Sequence, residues 1–147
     1  MIKIEVANMQ DALKVKASNI KKMLKSVLKK ENVKNAEISV ALVDNKKIVE
    51  LNKKYLNKGQ GTDVLSFLLD TNFDGQGTIL GDIITSCEMA KESARRLKIT
   101  AQAEVMNYII HGLLHILGYD DDTSKKRHKM HNFQRAILED FGYHLEK

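Results

Sequence analysis

The sequence predicts an α+β fold, a small mixed β-sheet of about four strands packed by about five helices, with a histidine-bearing helix lining a cleft. Three observations predict it. Short runs alternate apolar and polar residues at strand spacing, other runs carry apolar stripes at helical spacing, and the two kinds are mixed along the chain. Strand and helix alternate too rarely for a doubly wound sheet. No internal repeat, low-complexity tract or linker interrupts the 147 residues, so one domain over 1–147 is expected.

Residues 2–6 alternate and predict a first strand. From about 9 to 30, Leu13, Ala17, Ile20, Leu24, Val27 and Leu28 recur at helical spacing, with Lys14, Lys21, Lys22, Lys25 and Lys29 mostly on the other side. That basic side reads better as a solvated face than as an RNA-facing one. Residues 36–43 form the clearest strand. Asp44 is placed to N-cap a helix to about Leu56, with Ile48, Leu51 and Tyr55 as its stripe. Gly59-Gln-Gly61 marks a loop, Asp63 to Leu69 a third strand, Asn72 to Gly77 a second glycine-rich loop, and Ile79 to Thr85 a fourth strand. Ser86 caps a helix to about Leu97, Thr100 caps one to Leu117, and a last helix covers about 124–141, ending at Gly142.

Composition bounds the function. The chain is 43% hydrophobic and 29% charged, as soluble globular proteins are. Its N-terminus lacks a basic region followed by an apolar run, so no signal peptide is expected. The longest apolar run, near 108–119, is too short and too histidine-rich to span a bilayer, so no membrane partner is expected. The single cysteine, Cys87, forbids an internal disulfide and fits a reducing compartment, with the cytoplasm as default. A net charge of +5 suits polyanionic partners, although charge alone favours the plainer reading of a lysine-rich soluble protein.

The chemistry concentrates in His111-Gly-Leu-Leu-His115-Ile-Leu-Gly118-Tyr-Asp-Asp121. Positions four apart share one helix face, so the two imidazoles can reach one divalent ion if the turn after Gly118 returns a third ligand. Met106, Ile110, Leu113, Leu114 and Leu117 cluster on one side of the helix, and the histidines lie roughly 140° from its centre, in a stripe with Glu104 and Tyr108. The core face is thus already filled by aliphatics, which argues against two buried core histidines. Asp120, Asp121 and Asp122 follow the turn, and Asp121 is the third ligand expected. His128 and His131 are substitutes, better read as exposed helix residues off the Met130–Phe133–Ile137–Phe141 stripe. Two histidines, a glycine and then an acid resemble the metzincin metallopeptidases. Their glutamate base beside the first histidine is absent, however, and Gly112 stands there, which argues against proteolysis.

His111-Gly112-x-x-His115-x-x-Gly118-Tyr119-Asp120 also resembles the signature of the YbeY family, bacterial rRNA maturation factors regarded as metal-dependent endoribonucleases. Asp63-Val64-Leu65-Ser66-Phe67 and Leu80-Gly81-Asp82-Ile83 are similar to that family's two other characteristic stretches, in order and at the expected separation. The resemblance covers nearly the whole chain. It implies one zinc ion per chain on the histidine helix, an RNA substrate rather than DNA, and association with the small ribosomal subunit. The implied activity is phosphodiester hydrolysis in the maturation of the 16S rRNA 3′ end and in ribosome quality control. Three positions depart from the family pattern. Its third ligand, a histidine, is here Asp121, its phosphate-facing arginine is Leu56, and the proline after Leu-Ser-Phe is Leu68.

A carboxylate ligand cancels one unit of the ion's charge, so bound water should be less acidic than the pKa of about 7 seen with three neutral ligands. It also makes manganese or magnesium less unfavourable, although two imidazoles still favour zinc. In place of the arginine, Lys58 or Lys54 is expected near the phosphate, and Ser66 and Asp63 are expected to line the cleft. The plainer reading, that Asp63 caps a turn and Ser66 is a strand residue, weighs about evenly. Two other functions remain open, a ribosome-associated binding factor with a structural metal, which Leu56 allows, and a metal-dependent hydrolase of another substrate.

Overall fold

In chain order the computed structural model contains β1 (Ile2–Asn8), α1 (Ala17–Lys30), β2 (Ala36–Val43), α2 (Asn45–Leu56), β3 (Val64–Asp70), β4 (Ile79–Ser86), α3 (Cys87–Leu97), α4 (Ala101–Ile116) and α5 (Ser124–Asp140). It describes residues 1–56, 64–72 and 74–145. The strands form one mixed sheet in the order β1-β2-β4-β3. β1, β2 and β4 are parallel, and β3 is antiparallel to β4. The α+β expectation holds.

The local capping chemistry acts where the sequence placed it. Asp44 Oδ1 accepts the N–H of Lys47 at 2.8 Å. Ser86 Oγ accepts from Met89 and Thr100 Oγ1 from Ala103, each at 3.1 Å. Each such cap is worth about 1 kcal/mol of helix stability.

One boundary differs. The stripe from residue 9 predicts helix, but α1 begins only at Ala17 and β1 runs on to Asn8. Met9 donates its N–H to the Leu42 carbonyl at 2.8 Å, which prolongs the sheet contact. The Gln10 side chain then engages Leu13 twice, accepting its N–H at 3.0 Å and donating to its carbonyl at 2.8 Å. A side chain that occupies the local backbone groups competes with the helix ladder. Leu13 and Val15 still pack against the core, from a connector.

Side chains alternate across the sheet. Ile38, Val40, Leu42 and Ile83 bury on one face with α1 and α4. A smaller cluster of Val43, Ile48 and Leu65, joined by Phe67 and Ile84, forms on the other, with α2. α4 is the central helix. It packs on β3 and β4 and also touches α1, α3 and α5, and eleven of its sixteen residues are buried. Two glycines allow this close seat. A Cβ on Gly112 would stand 3.1 Å from Ile83 Cγ2 and 3.2 Å from Val64 Cγ2, and one on Gly81 would stand 2.9 Å from Ile116 Cδ1. Among the described residues no helix is long and apolar enough to cross a membrane.

Candidate metal centre

α4 presents His111 and His115 near its C-terminal end, each with a side chain 29% exposed. Gly118 adopts φ +101°, a left-handed conformation that glycine reaches without penalty, and ends the helix. Gly118 and Tyr119 donate their N–H groups to the carbonyls of His115 and Leu114 at 3.1 and 3.0 Å, which turns the chain back toward the histidines. The turn is held from two sides. The Tyr119 hydroxyl donates to Glu31, the C-cap of α1, and Arg127 on α5 donates to the Asp121 carbonyl at 3.1 Å. The hydrogen bond to Glu31, with burial and the Glu31 charge, pushes the Tyr119 hydroxyl up to about 12.

The three acids then divide. Lys126 lies 3.2 Å from Asp120 and 3.4 Å from Asp122, and these pairings, Asp120 first, hold its ammonium above the usual lysine value. Asp121 instead points inward, with Oδ2 3.5 Å from the Nε2 of both His111 and His115. The two Nε2 atoms are 3.0 Å apart. Among the described residues these three form the one group of at least three His, Cys, Asp or Glu side chains placed to hold a metal ion.

The donor chemistry fits such an ion. His115 Nδ1 lies 2.9 Å from the Tyr119 carbonyl, which only accepts, so the proton sits on Nδ1 and Nε2 offers its lone pair. His111 Nδ1 lies 2.9 Å from Gln134 Oε1, with the same result. Two lone pairs and a carboxylate oxygen therefore converge, an arrangement that a cation between them would stabilise. Donor atoms around tetrahedral zinc lie about 3.3–3.5 Å apart, close to the 3.0, 3.5 and 3.5 Å found here. The Asp121 side chain is 42% exposed, so one side of the group is open to solvent.

The remaining sequence-predicted residues fall as follows. Ser66 lies on β3 beneath α4, its Cβ 3.5 Å from where a Gly112 Cβ would stand, and outside the His-His-Asp group. Lys58 and Asp63 lie outside the described residues, as do the side chains of Tyr55 and Leu56. Asp82 belongs to the opposite sheet face, where it lines a cavity of about 330 Å³ with Leu51, Phe67 and Ile84. His128 and His131 are exposed on α5 and take no part in the group. Cys87 is fully buried, and burial pushes its thiol up to about 11.

The helical count sets Glu104 and Tyr108 in the histidine stripe, away from the aliphatic face, yet both are buried. Neighbouring helices cover the stripe, so only its histidine end reaches solvent. That cover includes Gln134 on α5, 4% exposed, which sequence reasoning missed. Its signal was available, a polar residue between Met130 and Ile137 on an otherwise apolar stripe.

A family model described as Endoribonuclease YbeY matches residues 5–142. A relative from Sulfurihydrogenibium, named Endoribonuclease YbeY, is 39% identical over 121 residues, 82% of this chain and 80% of the relative. One of the same name from Finegoldia magna is 34% identical over 148 residues, 98% and 97% of the two chains. The solution structure of a Thermotoga maritima protein superposes with a TM-score of 0.62 at 27% identity, covering 96% of this chain and 91% of that one.

Proposed function

The chain belongs to the YbeY family, and from that premise we propose that it is a metal-dependent endoribonuclease. The reaction is hydrolysis of RNA phosphodiester bonds, in maturation of the 16S rRNA 3′ end and in ribosome quality control, on or near the small ribosomal subunit in the cytoplasm. One domain over residues 1–147 carries it. The observation that supports this most is the convergence of His111 Nε2, His115 Nε2 and Asp121 Oδ2 on one half-open point.

In this reading His111, His115 and Asp121 hold one zinc ion. When bound, the ion supplies Lewis acidity toward water and toward a phosphoryl oxygen. The chain's own residues supply the rest. The Tyr119 carbonyl and Gln134 orient the two imidazoles, and Asp121 lowers the net charge of the centre by one. Its open side admits a phosphodiester, and Ser66 with Lys58 and Asp63 is assigned to the substrate. Gly112 weighs against a metallopeptidase. The place of that class's glutamate base is pressed against Ile83 and Val64, where even a Cβ is tight.

Cleavage of single-stranded RNA by the zinc-loaded protein, lost in His115→Ala, is the expected result. A zinc-loaded wild type that cleaves no RNA yet co-sediments with ribosomes would overturn it. That outcome favours a ribosome-associated factor with a structural metal, the reading that Leu56 in place of the family arginine supports. Peptide hydrolysis without RNA cleavage would instead indicate another hydrolase.

A further inference from the structure

The two histidines are oriented by unlike acceptors. His115 meets a backbone carbonyl, which cannot present a donor. His111 meets the side-chain amide of Gln134, whose two ends are nearly alike in shape and opposite in hydrogen-bonding sense. Were that amide reversed, its NH2 would face His111, Nδ1 would have to accept, and the proton would move to Nε2, where the donor is needed. Something must decide which way Gln134 faces.

The structure supplies a chain that does so. Gln134 Nε2 donates to Asn107 Oδ1 at 2.7 Å, and Asn107 Nδ2 donates to Glu104 Oε1 at 3.1 Å. Glu104 Oε2 accepts from the Ser93 hydroxyl at 2.7 Å. A carboxylate only accepts, so it fixes the sense of Asn107, which fixes Gln134, which fixes His111. Glu104 is 3% exposed, and among the described residues no cation pairs with it. A buried carboxylate held by hydrogen bonds alone is costly for a fold, and an apolar residue in its place would pack at less cost.

We propose that Glu104, Asn107 and Gln134 are positioning residues, a one-way hydrogen-bond chain that sets the tautomer of His111 and so turns its Nε2 lone pair toward the ion. The inference rests on the proposed metal centre, but its first readout needs no metal. Long-range 1H–15N NMR on the metal-free protein reports the tautomer of each neutral histidine. Wild-type His111 is expected to carry its proton on Nδ1. Gln134→Met removes the acceptor and should move most of the proton to Nε2, with zinc affinity falling about 10–100-fold. Gln134→Glu restores an acceptor for His111 and should restore its tautomer, while its second oxygen meets Asn107 Oδ1 without a donor, so the affinity should recover only in part.

Asn107→Leu leaves Gln134 in contact with His111 but cuts it from Glu104, and should give a mixture of the two tautomers with a smaller loss of affinity. A His111 tautomer unchanged by Gln134→Met overturns the proposal. A tautomer changed by Gln134→Met but untouched by Asn107→Leu removes Glu104 and Asn107 from it. A wild type that carries the Nδ1 tautomer but binds no zinc defeats the metal reading and leaves the chain without its purpose. Comparable NMR dispersion in the variants guards against a folding defect, and His115, held by Tyr119, serves as the internal control.

Discussion

Removal of Asp121 tests the candidate centre at its least conventional member. Its Oδ2 is 3.5 Å from each imidazole Nε2, and no other carboxylate among the described residues joins that group. Four-ligand structural zinc sites bind with about 10–16 kcal/mol, or roughly 3–4 kcal/mol per ligand, so Asp121→Ala should weaken zinc binding by about 100–1000-fold. The effect is readable in thermal unfolding. At free zinc of about 100 times the wild-type Kd, binding stabilises the fold by about 2.7 kcal/mol, which in a chain of this length raises Tm by about 5–10 °C. For a variant bound 100-fold more weakly the same zinc adds about 0.4 kcal/mol, or about 1–2 °C. The assay is a pair of melting curves with and without zinc, alongside competition against a chromophoric chelator. If Asp121→Ala keeps the full wild-type shift while His115→Ala abolishes it, the third donor lies elsewhere and the assignment fails.

Two further predictions follow from groups outside the centre. Tyr119 should ionise near 12, and Tyr119→Phe should remove that step from a tyrosinate absorbance titration. Because folding raises this pKa, the Tyr119–Glu31 bond contributes fully below the ordinary value near 10 and is lost as pH rises through about 12. At neutral pH its removal should therefore cost about 1 kcal/mol in urea unfolding, and an unchanged midpoint counts against the bond. Cys87, fully buried with its thiol near 11, should resist a thiol reagent at pH 8 and become reactive along the urea unfolding curve. A rapid stoichiometric reaction of the native protein would refute its burial.

What was legible in the sequence was mostly local. Asp44, Ser86 and Thr100 cap the helices they precede, because a cap needs only the backbone N–H three residues on. The start of α1 was not legible, because the bond from Met9 to the Leu42 carbonyl joins residues far apart in sequence. The same division runs through the site. Spacing brought His111 and His115 together, and Gly118 returned Asp121 to them. A helical count gives a side chain's direction relative to its own axis only. It could not reveal that other helices cover the Glu104–Tyr108 stripe, nor that a glutamine on α5 orients His111.

This division also separates Asp121 from the two histidines. The histidines ride on the central helix, which is seated against the sheet through Gly81 and Gly112, so their position is set by the packing of α4. Asp121 belongs to a turn whose backbone is fixed by other groups, by Gly118, by the Tyr119 contact with Glu31 and by Arg127 on its own carbonyl. Its half-exposed side chain carries no packing burden. Exchange between carboxylate and imidazole at this position therefore alters the charge and hardness of the centre while leaving its scaffold unchanged. In this chain Asp121→His should therefore fold as the wild type does while offering an ion three neutral nitrogens, and a lower melting temperature of the metal-free variant would refute that independence of site and scaffold.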